Sequence, residues 1–230
     1  MTNIAQFDVF PATVIRRDTR VTVIARTAEL EFRALLRNTG RLTSLIYPGA
    51  EILCLPKQSR KTAAQVLGAV VDDRRAVLLD TLVQARTFET AAKRGLIPWL
   101  PAIVRREIRV RNSRLDYEIE LAGKQGFLEL KSAVGLHGTC ATYPDAPSVR
   151  GRRHIALLTE LSREGYPCFI VFIAAHPAAA RFCPDVATDP EIGKTLLEAH
   201  AAGVMIHALK MHLTRAGIVV LDSPMIPVVL

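Results

Sequence analysis

The sequence predicts a two-domain α+β protein: a small closed β-barrel over residues 1–82, then an α/β layer domain over residues 83–230. Three observations lead there. Short runs rich in Val, Ile, Leu and Thr fill the first third with no long amphipathic helix among them. Helix-period segments begin only at Thr81. One uninterrupted apolar run, Cys168 to Ala175, lies between two helical patterns, where the central strand of a sheet covered on both faces belongs.

The strands of the first unit are read at 10–16, 20–25, 29–36, 50–55, 64–71 and 76–79, separated by turn signals such as Asn38-Thr39-Gly40 and Tyr47-Pro48-Gly49. Closing them into an OB-like barrel removes the exposed sheet edges that so many short strands would otherwise leave. A helix over 81–94 follows, stopped by Gly95. Three successive strands are expected at 103–110, 114–121 and 127–134, then a helix from about 149 to 163 that ends before Gly165. The buried strand 167–174, a helix over 190–202 and strands at 204–211 and 217–221 complete the chain.

The chain has 230 residues, 50% hydrophobic and 23% charged, which excludes a disordered or fibrous class. The apolar run at Cys168 is far shorter than the roughly 20 residues of a membrane helix, and the first ten residues lack the pattern of a secretory signal. The expected address is the cytoplasm, with no membrane partner. Cysteines 54, 140, 168 and 183 show neither a C-x-x-C pair nor a nearby histidine group, so they are read as small core residues. The net charge of +8 makes polyanions plausible partners without choosing among them.

The stretch that carries chemistry runs from Arg105 to Lys131. On an extended strand Asp116, Glu118 and Glu120 share one face, and on the next strand Glu129 and Lys131 share one face. With an even number of residues in the connecting loop, Asp116 falls on the same face as Glu129 and Lys131; with an odd number it does not. If they converge, Asp116 and Glu129 suit Mg²⁺ or Mn²⁺, a hard cation that takes one or two protein carboxylates and keeps several waters. Such an ion can polarise a phosphoryl oxygen and lower the pKa of a bound water, while Lys131 orients or deprotonates that water or stabilises charge on the phosphate. The competing reading is an ordinary half-exposed strand with its acids in solvent. The order of elements, an Asp, then E-x-K on the next strand, with a helix before and a basic helix after, matches the PD-(D/E)xK nuclease core.

Over nearly its whole length the chain resembles the sugar fermentation stimulation protein (SfsA) family. Carrying the resemblance are Asn38-Thr-Gly-Arg41, Pro48-Gly49, Gly95-Leu-Ile-Pro98, Arg105-Arg-Glu, Asn112-Ser-Arg-Leu-Asp116, Leu128-Glu-Leu-Lys-Ser132, Tyr143-Pro-Asp-Ala146 and Arg150-Gly-Arg-Arg-His154. The resemblance implies an OB fold joined to a PD-(D/E)xK nuclease-like domain, DNA binding, and a presumed nuclease activity centred on Asp116, Glu129 and Lys131. The sequence departs from the family pattern at Thr90, where a Glu is usual and Glu89 stands beside it, at Ala85, where an Asn is usual, and at Val149 and Arg152, which replace polar residues.

Five arginines lie between 105 and 114, and three more fall between 150 and 153. Arg105, Arg106, Arg111, Arg114 and Arg150 are therefore candidate phosphate contacts, with a solvated strand edge as the alternative. His154 shares a helix face with Arg150 and either contacts a phosphate or has no chemical role. In the barrel Arg37 and Arg41 are the candidates, and the scarcity of aromatic residues, 6% of the chain, argues for backbone-directed rather than stacking contacts. The expected function is a DNA-binding protein, DNA favoured over RNA, with a metal-dependent phosphodiester-hydrolysing site. The alternative is a non-catalytic DNA-binding or regulatory module on a degenerate nuclease scaffold.

Overall fold

The computed structural model describes residues 1–57 and 59–230. Strands β1 (Thr2–Gln6) and β2 (Phe10–Thr19) open the chain, followed by β3 (Thr22–Arg26), β4 (Glu31–Leu36), β5 (Glu51–Pro56) and β6 (Ala64–Val70). Strands β2 to β6 form a closed five-stranded barrel of the expected OB type. β2 pairs with β3 and β5, β3 with β4, and β5 with β6, and the parallel pairing of Ala34 with Ala64 and Leu36 with Val66 seals the ring. Val14, Val23, Ala25, Ala34, Leu36, Ile52, Cys54 and Val66 point inward and are almost wholly buried, as the period-2 pattern requires.

Two short strands tie this barrel to the rest of the chain. β7 (Arg75–Leu78) pairs with β6 on one side and with β15 (Met205–Thr214) on the other, so the two domains share one continuous sheet. β1, placed by the sequence inside the barrel unit, pairs instead with β16 (Ile218–Ile226), the last strand of the chain. Only Ile4 of β1 is buried, so its sequence offers little apolar alternation from which to read a strand.

The second domain is a covered sheet. Helix α1 (Thr81–Lys93) starts at Asp80, whose carboxylate accepts from the Val83 amide, and stops at Gly95, where φ is +66°. The strands β8 (Ala102–Val110), β9 (Ser113–Leu121) and β10 (Lys124–Ala133) follow, with β13 (Cys168–Ala174) parallel to both β10 and β15. All seven residues of β13 are buried. Phe169, Val171 and Ile173 pack with Phe88 of α1 on one face, while Ile170 and Phe172 pack with Ile155 and Leu158 of α2 (Val149–Arg163) and Leu196 of α3 (Pro190–Ala201) on the other. This double covering is the reason the strand reads as a continuous apolar run.

A small second sheet, β11 (Gly135–His137), β12 (Cys140–Tyr143) and β14 (Arg181–Pro184), was not legible in the sequence. It corrects the reading of two cysteines. Cys140 and Cys183, expected as separate core residues, are joined in a disulfide across the parallel strands β12 and β14, 43 residues apart in the chain. Cys54 and Cys168 are the buried free thiols expected, and burial pushes both up to about 12. Among the described residues no helix is long and apolar enough to cross a membrane.

Candidate active site

The register of β9 against β10 decides whether the acids meet. The strands are joined by a two-residue turn, Ala122 and Gly123, both at positive φ (50° and 76°), the conformation that suits a tight hairpin. Leu121 faces Lys124, and the pairing runs on to Tyr117 opposite Leu128. One step further Asp116 stands opposite Glu129, but there the ladder ends and the strands part. Side chains take over from backbone carbonyls: the Leu130 amide donates to Asp116 Oδ2 at 2.8 Å, and the Asp116 amide donates to Glu129 Oε2 at 3.3 Å. The fork between the strands is thus closed by the two carboxylates themselves.

Lys131 and α2 complete the cluster. Lys131 Nζ donates to Glu129 Oε1 at 2.6 Å, and His154 Nδ1 lies 2.5 Å from the same oxygen. Glu129, Lys131 and His154 are buried, with 3%, 8% and 6% of their surfaces exposed. The sequence offered His154 either as a phosphate contact or as an idle helix-surface residue. Its burial corrects the helix-surface reading: the ring lies against Glu129 and helps to hold that carboxylate. A cavity of about 290 Å³ opens on Asp116 and Lys131 and is bordered by Arg106, Thr81, Ala85 and Ser132.

Burial and like charge act together on this cluster. Burial, followed by the neighbouring charge of Glu129, raises Asp116 to about 6. Burial also opposes ionisation of Glu129, but Lys131 and His154 outweigh it and hold that carboxyl below its usual range. For Lys131 burial works against the ammonium, yet Glu129, Tyr143 and Asp116 prevail and keep its pKa above the ordinary lysine value. At neutral pH the centre therefore holds a cationic lysine between two carboxylates.

The first helix supplies no third acid. Thr90 is bonded back to the Arg86 carbonyl at 2.9 Å, and Ala85 is the α1 residue that borders the cavity together with Thr81, Leu82 and Gln84. Glu89 is engaged elsewhere: it accepts from the Tyr117 hydroxyl at 2.8 Å and pairs with Arg106 Nε at 2.9 Å. Among the described residues no group of three His, Cys, Asp or Glu side chains is gathered to enclose a metal ion. The donor set that remains, two hard carboxylates facing one another, fits a divalent cation of the Mg²⁺ class, which keeps most of its waters.

The candidate phosphate contacts scatter. Arg106 borders the cavity. Arg105 is paired with Glu118 (Nε to Oε2, 2.7 Å), and Arg111 is held by Glu160 at 2.6 Å and by Glu164, at the far end of α2. Arg114 lies 3.9 Å from Glu107 in solvent, and Arg150 is exposed in the first turn of α2. Arg37 lines a separate cleft between the domains, and Arg41 is exposed beside it. Sequence reasoning missed Tyr117 as the residue that fixes Glu89, and it missed Asp145, which binds the barrel. The Tyr143-Pro-Asp-Ala146 motif was the available signal for the latter.

Comparison with known proteins agrees with both halves of this architecture. A family model described as the SfsA N-terminal OB domain matches residues 15–79, and one described as the sugar fermentation stimulation protein RE domain matches residues 82–217. A sugar fermentation stimulation protein homolog from Pyrococcus furiosus is 42% identical over 210 residues, covering 90% of this chain and 91% of that protein. A homolog from Chloroflexus aurantiacus is 36% identical over 211 residues, covering 90% and 81%. A solved structure, that of Pyrococcus furiosus SfsA in complex with Ca²⁺, superposes with a TM-score of 0.95 at 39% identity and covers all of both chains.

Proposed function

The chain belongs to the sugar fermentation stimulation protein family, and from that premise we propose that it is a DNA-binding protein whose Asp116–Glu129–Lys131 centre hydrolyses phosphodiester bonds with a divalent cation. The observation that carries the reading is the fork itself. The buried Glu129 and Lys131 and the half-buried Asp116 meet at the point where the hairpin opens, beside a cavity bordered by Arg106 and Glu107. Perturbed ionisable groups gathered at a cavity mark functional sites more often than structural ones. The Ca²⁺ complex of the Pyrococcus furiosus relative supports a hard-cation site in the family.

Asp116 and Glu129 would hold the cation, which supplies Lewis-acid polarisation of a phosphoryl oxygen and a more acidic bound water. The residues of the chain do the rest. Lys131, kept protonated by its neighbours, acts as a fixed positive charge for the charge that develops on phosphate and not as a general base. His154 keeps Glu129 turned toward the fork. Arg106, at the cavity rim, is placed to meet a phosphate from solvent.

The test is to incubate supercoiled plasmid and single-stranded DNA with Mg²⁺ or Mn²⁺, comparing the protein with Asp116→Ala and Lys131→Ala. Metal-dependent nicking lost in both variants is the expected result; salt-sensitive binding without nicking overturns hydrolysis. A second reading, a non-catalytic DNA-binding module on this scaffold, is favoured by one observation: α1 presents Ala85 and Thr90 where the family pattern has polar and acidic groups, and Glu89 is tied to Arg106 and Tyr117.

A further inference from the structure

Two sequence motifs outside the Asp116–Glu129–Lys131 centre meet at the junction of the domains. The turn after β4, Asn38 to Leu42, lies against Asp145 of the segment after β12. Asp145 Oδ2 accepts from the Leu42 amide at 2.5 Å, and its carbonyl accepts from the Arg41 amide at 3.4 Å. Arg17 adds bonds to the Gly40 carbonyl at 2.8 Å and to the Arg41 carbonyl. A Cβ at Gly40 would stand 2.6 Å from Asp145 Oδ2, so a side chain there would push that carboxylate off the Leu42 amide. This clamp roofs a cleft of about 570 Å³ between barrel and second domain.

The cleft adjoins the cavity beside Asp116 and Lys131 and shares part of its wall. Thr81 and Ser132 line both. Ser132 follows Lys131 directly, and its hydroxyl is the one buried side-chain N or O atom among the described residues without a hydrogen-bond partner. A buried hydroxyl left unpaired is costly, so a water or a polar ligand group must meet it. Two guanidinium groups face the same space. Arg20 uses Nε on the Thr39 carbonyl at 3.0 Å, and neither its terminal nitrogens nor the Arg37 side chain has a hydrogen-bond partner among the described residues. Asp145 is the one acid on the lining, and it is engaged by the Leu42 amide. Between these polar groups the wall is apolar, formed by Val21, Leu35, Leu36 and Val134. Cations beside an apolar wall suit phosphates and unpaired bases, and a volume of about 570 Å³ is too small to enclose a base-paired duplex.

We propose that the cleft is a channel for a single DNA strand, which passes from the Asp116–Glu129–Lys131 centre over Ser132 and between the domains with its phosphates on Arg20 and Arg37. The substrate class is then DNA with an unpaired segment next to the cleaved bond, in preference to continuous duplex. This rests on the nucleic-acid reading above, and it adds a binding site that the hydrolytic residues do not require.

The experiment measures binding in EDTA, so that metal-dependent cleavage does not intervene. Fluorescence anisotropy compares a labelled single-stranded oligonucleotide with the blunt duplex of the same sequence. The single strand is expected to bind about tenfold tighter or more, a difference of about 1.4 kcal/mol. In Arg20→Ala/Arg37→Ala its affinity falls about tenfold, the duplex affinity stays within about twofold, and the slope of log K against log salt for the single strand drops by about 1.4, two phosphates at about 0.7 each. Thermal melting confirms that the variant folds, and Arg20→Gln/Arg37→Gln replaces it if it does not. Duplex binding as tight as single-strand binding, or unchanged single-strand affinity in the double variant, overturns the channel. The two failures are distinguishable: unchanged binding in the cleft variant with intact nicking removes the channel and keeps hydrolysis, whereas a single-strand preference lost in the cleft variant without any nicking keeps the channel and removes hydrolysis.

Discussion

The acid-bearing fork between β9 and β10 and the arginine-rich edge strand β8 are neighbours in the same sheet, yet their charges sit in opposite surroundings. At and just beyond the edge the arginines themselves stand in solvent: Arg105 is two-thirds exposed although its partner Glu118 is buried, and Arg111 spans the exposed Glu160 and Glu164. At the fork Glu129 and Lys131 are under a tenth exposed, and both Glu129 oxygens and Asp116 Oδ2 are engaged by backbone amides, by Lys131 or by the His154 ring. Exposed pairs contribute about 0–1 kcal/mol each. Buried charges cost several kcal/mol to desolvate, and pairing barely recovers that cost. Such a cluster adds little stability for its burial.

Removing one buried partner should have the largest effect. Lys131→Met leaves two carboxylates in the fork without their ammonium and is expected to lower stability by about 3–5 kcal/mol in urea unfolding. Arg111→Ala, whose partners Glu160 and Glu164 are both exposed, should cost within about 1 kcal/mol. Equal losses in the two variants would abolish the contrast.

Next comes pH. Because the folded Asp116 titrates near 6, the native state keeps a proton that the unfolded chain releases near its ordinary value of about 4. Stability from this group is therefore present below about pH 4, falls as pH rises toward 6, and stays reduced by about 3 kcal/mol above that. Glu129, shifted down, contributes in the opposite sense, gaining stability as pH rises through the ordinary carboxyl range. Melting curves at pH 4 and 7.5 should show Asp116→Asn gaining on the parent protein only at the higher pH. Added Mg²⁺ or Mn²⁺ should raise the melting point of the parent above pH 6 and leave that of Asp116→Asn unmoved.

A smaller effect separates the two helices that flank the sheet. Glu89→Gln is expected to reduce metal-dependent nicking by less than about tenfold, since Glu89 is tied to Arg106 and Tyr117 and does not reach the fork. Complete loss would show that α1 supplies a ligand after all. Smallest of all, Arg106→Ala should lower the salt slope of duplex binding by about 0.9, the value of one phosphate contact. Arg111→Ala, whose guanidinium is already bound by two glutamates, should leave that slope unchanged.

Much of this was readable from residue patterns. The barrel strands, all three helices and the buried strand β13 follow from alternation, caps and apolar runs that are local in sequence. Asp116, Glu129 and Lys131 could be named as candidates, but their meeting depended on the parity of a loop. The apparent five-residue connection 122–126 proved to be a two-residue turn with β10 starting early at Lys124. β1 and the three-stranded sheet were missed because each is short and owes its strand state to a distant partner, Thr2 to Leu221 and Cys140 to Arg181.

By itself the sequence determined the class of each element and the short list of residues able to do chemistry, because backbone preference and side-chain type are local properties. The tertiary structure alone decided which of those charges are desolvated together. It turned His154 inward onto Glu129, drew Glu89 and Arg111 into other pairs, and set Arg20 and Arg37 across from the second domain. The physical reason is that the strength of a charge depends on its dielectric surroundings and on its neighbours in space, and residues far apart in the chain supply both.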